Sequence, residues 1–343
     1  MSNILITGAN GFIGSHIVDQ FLKEGIKARC LVRHGSDLRN IDQSKVEIVF
    51  GDITDFDSLN NALIGMDYVV HNAAKVKDWG NYNSFYNSNV QGTLNVLRAC
   101  VKNKITNIVM TGSISSYGEE NCMTVKDETS DYNSHYNYFL DSIFPNAFNY
   151  YRDTKALATR KATDYAKEKG LNLTIIEPTW VFGEREFNTG FYEYMNSARK
   201  GMAFAPGSRK NRFHVIYAVD LAEAYVMAFR KMLTGVNRFI IGNKEANLMD
   251  DIFTLFCKEA NIKKPFLLPK WFIYPTGFVL EMIFTLIRTK DAPLLSRSRI
   301  NMFYDNIEYS TIKAKEVLGF TNQYSLEEGI SRTVAWYKEN KKL

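Results

Sequence analysis

A tyrosine four residues ahead of a lysine places a phenol and an ammonium one turn apart on the same face of a helix. The lysine charge stabilises the phenolate and draws a phenol that ordinarily ionises near pH ~10 toward neutrality. Such a phenol can take a proton from an alcohol or give one to a carbonyl. The spacing occurs four times, at Tyr151–Lys155, Tyr165–Lys169, Tyr309–Lys313 and Tyr337–Lys341. In a chain with 19 tyrosines the spacing alone selects none of them. Position decides. Only Tyr151–Lys155 opens the helical stretch between the fifth and sixth candidate strands, so only this pair reaches the carboxyl edge of a parallel sheet, where ligands of such folds bind. The hydroxyl that completes the set comes from the end of the fifth strand, Thr111-Gly112-Ser113-Ile114-Ser115. Ser113 is placed to hydrogen-bond a substrate oxygen, with Ser115 in reserve.

A second constellation stands at the start of the chain. The apolar run Ile4-Leu5-Ile6 leads into Thr7-Gly8-Ala9-Asn10-Gly11-Phe12-Ile13-Gly14 and then into a helical pattern. Gly8 suits a tight turn, Gly11 a close backbone approach to a pyrophosphate, and Gly14 close packing of helix on strand. The helix N-terminus adds free N–H groups and a partial positive charge. At a first strand–helix junction this pattern predicts a dinucleotide site built from Gly8, Asn10, Gly11, Phe12, Ile13 and Gly14. The second strand ends Leu31-Val32-Arg33-His34. NAD sites usually carry an acid there, bonded to the ribose 2′-hydroxyl. Val32 stands in that place and Arg33 follows, and an arginine's charge and planar fork suit a 2′-phosphate. The expectation is therefore NADP(H), with NAD(H) left open. A nicotinamide beside the tyrosine makes the chemistry hydride transfer to or from a small organic substrate.

These residues need a frame. Candidate strands lie at Ile4–Thr7, Ala28–Val32, Val46–Phe50, Tyr68–Asn72, Ile105–Thr111 and Leu173–Glu177. Helical patterns fall between them at Gly14–Glu24, Ser58–Leu63, Val90–Lys102 and Asp153–Glu168. The alternation predicts an α/β fold, a Rossmann doubly wound parallel sheet of six strands. Glu119–Asn149, polar and without a clear period, reads as a long loop beside the site. After about Glu177 the pattern is mostly helical with a few short strands such as Arg238–Ile241. The expected division is a dinucleotide-binding domain over 1–183, to which some later elements return, and a smaller, mostly helical substrate subdomain over 184–343.

Composition narrows the rest. A formal charge of +5, from 42 basic and 37 acidic residues, is too mild and too mixed for a nucleic-acid-binding face. Cys30, Cys100, Cys122 and Cys257 are scattered, which argues against a metal site and against a disulfide framework and fits a reducing, cytoplasmic compartment. Cys30 and Cys100 read as small core residues. The N-terminus lacks the pattern of a signal peptide. The apolar segment Trp271–Ile287 is interrupted by Pro275, Gly277 and Glu281 and is too short for a span of about 20 clean apolar residues. Three readings remain for it: a lid or wall of the substrate pocket, an ordinary buried helix, and a weak contact with a membrane surface.

With these residues in place, the chain resembles the extended short-chain dehydrogenases/reductases of the NAD(P)-dependent epimerase/dehydratase superfamily. The resemblance covers nearly the whole chain and is most specific up to about Gly183. It implies catalytic roles for Ser113, Tyr151 and Lys155. It also implies that Asp52 and Ile53 in Gly51-Asp52-Ile53 contact the adenine, and that Asn72, Ala73 and Ala74 line the cofactor. Asn89 in Asn89-Val90-Gln91-Gly92-Thr93 supports the active-site geometry, Lys155 contacts the cofactor, and Pro178 passes close to the nicotinamide. Leu31–Asp37, Tyr309–Ala314 and Leu318-Gly319-Phe320 are similar to the branch of 3β-hydroxysteroid dehydrogenases and dihydroflavonol-4-reductase-like enzymes. The family's usual homodimer implies an interface built from helices Val90–Lys102 and Asp153–Glu168. Two features depart from the pattern: Glu177 replaces the arginine often found before that proline, and Glu119–Asn149 is longer and more polar than usual.

The expected function is an alcohol/ketone oxidoreductase acting on a bulky, largely apolar substrate, sterol-like or lipid-derived. A nucleotide-sugar epimerase or dehydratase with bound NAD is the alternative. Val32-Arg33 does not suit NAD, and Phe213–Tyr217 lacks the Arg-Asp pair common in that branch. A non-catalytic dinucleotide-binding scaffold is the third, and it has no need of Ser113, Tyr151 and Lys155.

Overall fold

Apolar runs shielded on both faces make the centre of the molecule, as a parallel sheet requires. In the computed structural model, which describes residues 3–118, 124–187 and 190–343, seven strands form one sheet. They are β1 (Ile4–Thr7), β2 (Ala28–Val32), β3 (Glu47–Phe50), β4 (Tyr68–His71), β5 (Asn107–Thr111), β6 (Asn172–Pro178) and β7 (Val236–Ile241). Every pairing is parallel, in the order β7-β6-β5-β4-β1-β2-β3. The fold is the Rossmann-like, doubly wound α/β architecture. Thr7 lies level with Leu31 on one side and with His71 on the other. The residues after these strands therefore emerge together at the carboxyl edge, where the strand order reverses and a crevice opens.

Helices cover both faces. Ile17 and Phe21 from the helix Phe12–Lys23 share a core with Leu221 and Tyr225 from Ala218–Lys231. On the opposite face Leu59, Val96, Cys100, Ala162 and Ala166 fill the core under Phe56–Ala62, Gly92–Lys102 and Ala147–Lys169. The small residues of the last helix let its backbone approach the sheet. A separate aromatic core of Phe182, Phe191, Phe213, Tyr217 and Phe256 joins Gly190–Arg199, Met249–Ala260 and Leu326–Glu339.

Several expectations change. The sheet has seven strands rather than six, because the run expected in the C-terminal subdomain, Arg238–Ile241, pairs with β6 as an edge strand. Its Phe239, Ile240 and Ile241 are buried; a short apolar run does not announce which sheet it will join. The helix expected from Asp153 starts six residues earlier, at Ala147, with the Asn146 side chain accepting from Phe148 N. Tyr151 thus sits in the second turn rather than at the opening. The aromatic and polar residues 147–152 hid the helical period, while the Asn146 cap was the legible signal. Val90–Lys102 becomes a helix from Gly92, preceded by a π-helical turn over Tyr86–Gln91. The segment expected as a loop over Glu119–Asn149 is mostly irregular from 124 to 146, whereas 119–123, and with them Cys122, lie outside the described residues. Cys30 and Cys100 are fully buried.

The apolar segment is the helix Lys270–Leu286, and among the described residues no helix is long and apolar enough to cross a membrane. It is tied down by a buried ion pair, Arg297 to Glu281 at 2.7 Å. Glu281 also accepts from Asn146 Nδ2 at 2.9 Å, and Arg297 donates to the carbonyls of Phe144 and Phe139. The cap of the 147–169 helix is thereby fixed to this segment.

The tightest point of the fold is the first turn. Gly8 has φ +66°, and a Cβ on Gly14 would lie 2.0 Å from the Gly8 carbonyl oxygen. Backbone cannot move aside as a side chain does. Gly14→Ala is expected to cost at least the ~1–3 kcal/mol of an overpacked site, read as a lowered urea midpoint; an unchanged midpoint would show that the turn opens freely.

Candidate active site

The predicted groups come from strand ends and from the helices packed beside them. β5 finishes at Thr111, and Ser113 follows as the cap of a short turn over Ile114–Tyr117. The helix Ala147–Lys169 then carries Tyr151 and Lys155 along its sheet-facing side. The Tyr151 hydroxyl stands 3.4 Å from Ser113 Oγ, and Ser113 Oγ lies 2.7 Å from Ser115 Oγ. The two serines are one hydroxyl pair beside the phenol. Lys155 is buried and donates to the Thr111 carbonyl at 2.7 Å. Burial pushes its ammonium down to about 8, against the opposing pull of Glu177.

Asn89 sits in the π-helical turn, a distortion that recurs at functional sites. Its side chain accepts from Lys75 N at 2.7 Å and donates to Thr154 Oγ1 at 3.1 Å. It therefore ties the loop after β4 to the helix carrying Tyr151. His71, at the end of β4, bonds Thr7 Oγ1 at 2.8 Å and Thr93 Oγ1 at 3.0 Å. Burial, aided by the Lys155 charge, lowers its imidazole to about 3. It is a neutral strut at working pH.

The glycine turn has the form a dinucleotide needs. Gly11 begins the helix Phe12–Lys23 without a side-chain cap, so the first N–H groups, from Phe12 and Ile13 onward, remain for an anion. A Cβ on Gly8 would meet Ala73 N and Cα at 2.8 Å. Ala73 N itself donates to Thr7 Oγ1 at 3.1 Å, which locks β1 to β4 beside Asn72 and Ala74. Asn72 Oδ1 accepts from Thr111 Oγ1 at 2.9 Å, and Pro178 closes β6. Asn10 Nδ2 donates to the Asp37 carbonyl at 3.2 Å. That contact holds the loop after β2 at a groove of about 430 Å³ lined by Asn10, Asp37, Arg39, Asn40, Tyr192 and Lys342. Asp52 Oδ1 is engaged by Thr54 N and Thr54 Oγ1 at 2.8 Å, and Ile53 is buried. Arg33 is exposed at the end of β2. The cradle fits a dinucleotide, and Gly8, Gly11 and Gly14 with the open helix end would hold its pyrophosphate.

Sequence reasoning missed three groups. The Thr111 carbonyl that holds Lys155 is backbone and carries no residue signal. Tyr117 and Tyr132 both donate to Glu177, whose carboxyl is fully buried and raised by that burial against the opposing Arg238 charge and the two phenols. A Cβ on Gly112 would lie 2.6 Å from Glu177 Cγ. Glu177 thus fills the space under the Thr111–Ser113 turn, where the sequence marked it only as a departure.

The sequence model of the NAD dependent epimerase/dehydratase family matches residues 4–242, and the chain belongs to that family. It is an enzyme of the extended short-chain dehydrogenase/reductase type. The 2-alkyl-3-oxoalkanoate reductase of Shewanella oneidensis is 25% identical over 98% of this chain and 86% of its own length. The mouse decarboxylating sterol-4-alpha-carboxylate 3-dehydrogenase is 25% identical, over 96% of this chain and 89% of its own. An Escherichia coli O157:H7 enzyme, N-acetyl-alpha-D-glucosaminyl-diphospho-ditrans,octacis-undecaprenol 4-epimerase, is 26% identical over 97% and 95%. Among solved structures, that of gox2253 superposes with TM-score 0.80 and 24% identity, each chain wholly covered. A Thermotoga maritima UDP-glucose 4-epimerase superposes with TM-score 0.77 and 21% identity over 99% of both chains.

If the Tyr151 phenol transfers the proton, replacing it removes that group and leaves the cradle intact. Tyr151→Phe is expected to lower single-turnover reduction about 10²–10⁴-fold with coenzyme affinity unchanged. Ser113→Ala should cost about 10²-fold. Stopped-flow fluorescence of the reduced coenzyme reads both, and a Tyr151→Phe enzyme as fast as the parent would remove the phenol from the chemistry.

Proposed function

We propose that the protein interconverts an alcohol and a ketone on a bulky, largely apolar substrate, sterol-like or lipid-derived, using NADP(H). The observation that carries the reaction is the Tyr151 hydroxyl 3.4 Å from the Ser113 hydroxyl, with the buried Lys155 ammonium of the same helix held on the Thr111 carbonyl at the end of β5. A bound nicotinamide supplies or accepts the hydride. Ser113 Oγ orients the substrate oxygen by hydrogen bonding, and Tyr151 gives that oxygen a proton in reduction or takes it in oxidation. Lys155 favours the phenolate by its charge, and Asn89 keeps the helix of Tyr151 in place through Thr154. Water is kept from Lys155 by the packing that buries it.

The apolar character of the substrate is supported by the surroundings of the helix cap. Phe139 and Phe144 pack edge-to-face on Phe278 of the 270–286 helix at 5.3 and 6.3 Å, within one loop of Tyr151. The reductase of Shewanella oneidensis and the mouse sterol dehydrogenase carry names consistent with such substrates. The second reading, a nucleotide-sugar epimerase, is favoured by the Escherichia coli relative. Turnover of nucleotide sugars with retained NAD and no added coenzyme would establish it instead.

The NADP(H) preference rests on Arg33, exposed after Val32 with no acid in the strand end. Losing a charged, forked contact to a 2′-phosphate is expected to weaken binding by about tenfold or more. Arg33→Ala should therefore raise the Kd for NADPH about tenfold and leave that for NADH unchanged, as read by fluorescence titration. Tighter binding of NADH than NADPH by the parent enzyme would refute the preference. Gly92–Lys102 and Ala147–Lys169 lie side by side on one face of the sheet, and a homodimer pairing these helices is the proposed assembly, measured by sedimentation equilibrium.

A further inference from the structure

The helix Lys270–Leu286 is inside out. Its single acid, Glu281, faces inward to Arg297 and is buried, while its outer face carries no charge at all. Trp271 is 77% exposed, Phe272 57% and Leu286 68%, and Val279, Ile283 and Ile287 complete the stripe. From 272 to 279, 283 and 286 the steps are seven, four and three residues, close to whole turns, so these positions fall on one side of the helix. The loop bearing Phe139, Leu140 and Ile143, all exposed, extends this surface through the Phe139–Phe278 contact at 5.3 Å. An apolar area of this extent is unusual on a soluble monomer and marks an interaction site.

Charge identifies what covers it. From residue 261 to 294 the exposed acid is Asp291 alone, whereas Lys263, Arg288 and Lys290 are exposed and basic. Lys264 and Lys270 stand beside them, each paired with an acid from elsewhere. Basic groups therefore flank both ends of the apolar stripe. A second copy of this chain packed about a two-fold axis would bring one basic end against the other. An anionic bilayer accepts both features: the stripe enters the acyl boundary while the lysines and arginine meet phosphate.

We propose that the 270–286 helix and the 139–143 loop dock this protein on the surface of an anionic lipid bilayer. Glu281 links the docked helix to Asn146, the cap of the helix that carries Tyr151. Docking therefore sets the substrate side of the site against the source of an apolar substrate. The inference deepens the apolar-substrate reading, but its test needs no substrate, so the two can fail separately.

The test is sedimentation of the full chain with vesicles of phosphatidylcholine mixed with phosphatidylglycerol, and with vesicles of phosphatidylcholine alone. The parent protein is expected to sediment with the anionic vesicles, far less with the neutral ones, and less again at high salt. Trp271→Glu with Leu286→Glu should lower the bound fraction about tenfold or more with NADPH affinity and thermal midpoint unchanged. Reversing Lys263, Arg288 and Lys290 to Glu should cost about fivefold per charge. Absence from vesicles, equal binding to neutral vesicles, or binding that the double variant retains would overturn the proposal. So would an oligomer that Trp271→Glu splits, since the stripe would then be covered by a second copy.

Discussion

An ammonium shut away from water is costly unless something answers its charge. Lys155 is shut away and answered twice, by the Thr111 carbonyl at 2.7 Å and by the field of Glu177. Much of the surrounding architecture serves this one arrangement. The carbonyl is available because β5 ends at Thr111. Glu177 is near because β6 pairs with β5 along its length and Gly112 leaves room for the carboxylate. Tyr117 and Tyr132 keep that carboxylate hydrogen-bonded, and Arg238 from β7 supplies the countercharge. The edge strand thus contributes to the electrostatics of the site as well as to the sheet.

The same strand ends place the cofactor cradle. β1 and β4 finish level, so Gly8 and Ala73 meet backbone to backbone; a side chain at Gly8 would force them apart, and one at Gly14 would strike the Gly8 carbonyl. Tyr151 is fixed from the other side by Asn146 at the helix cap and by Asn89 through Thr154. Phenol, hydroxyl and ammonium are therefore held by regular elements rather than by the loop 124–146. Precision of this kind is what proton transfer within hydrogen-bond reach demands.

Much of this was legible in the sequence. The glycine turn follows directly from Ile4–Thr7, and Tyr151–Lys155 was chosen from four equal spacings by its place between strands. Tyr151 and Ser113 stand 3.4 Å apart, and Lys155 turns to the Thr111 carbonyl. What stayed hidden has physical reasons. Arg238–Ile241 joins the sheet within β7, a place that a short apolar run does not announce. Thr111 acts through its backbone. Glu177 stands out only once β5 and β6 are seen to bury it, since a lone acid before a proline is more often a solvated one. The outward apolar face of the 270–286 helix was ambiguous because periodicity shows that a stripe exists, not which way it points.

The most direct test is an NMR titration of the protein carrying 13C at the lysine ε-carbons, with Lys155→Arg to assign the resonance. The account predicts that Lys155 titrates at about 8, well below the ~10.4 of ordinary lysines. Glu177→Gln should move it lower still, because the carboxylate that supports the charge is gone. Titration of Lys155 with the surface lysines, or a value indifferent to Glu177→Gln, would contradict the account at its centre.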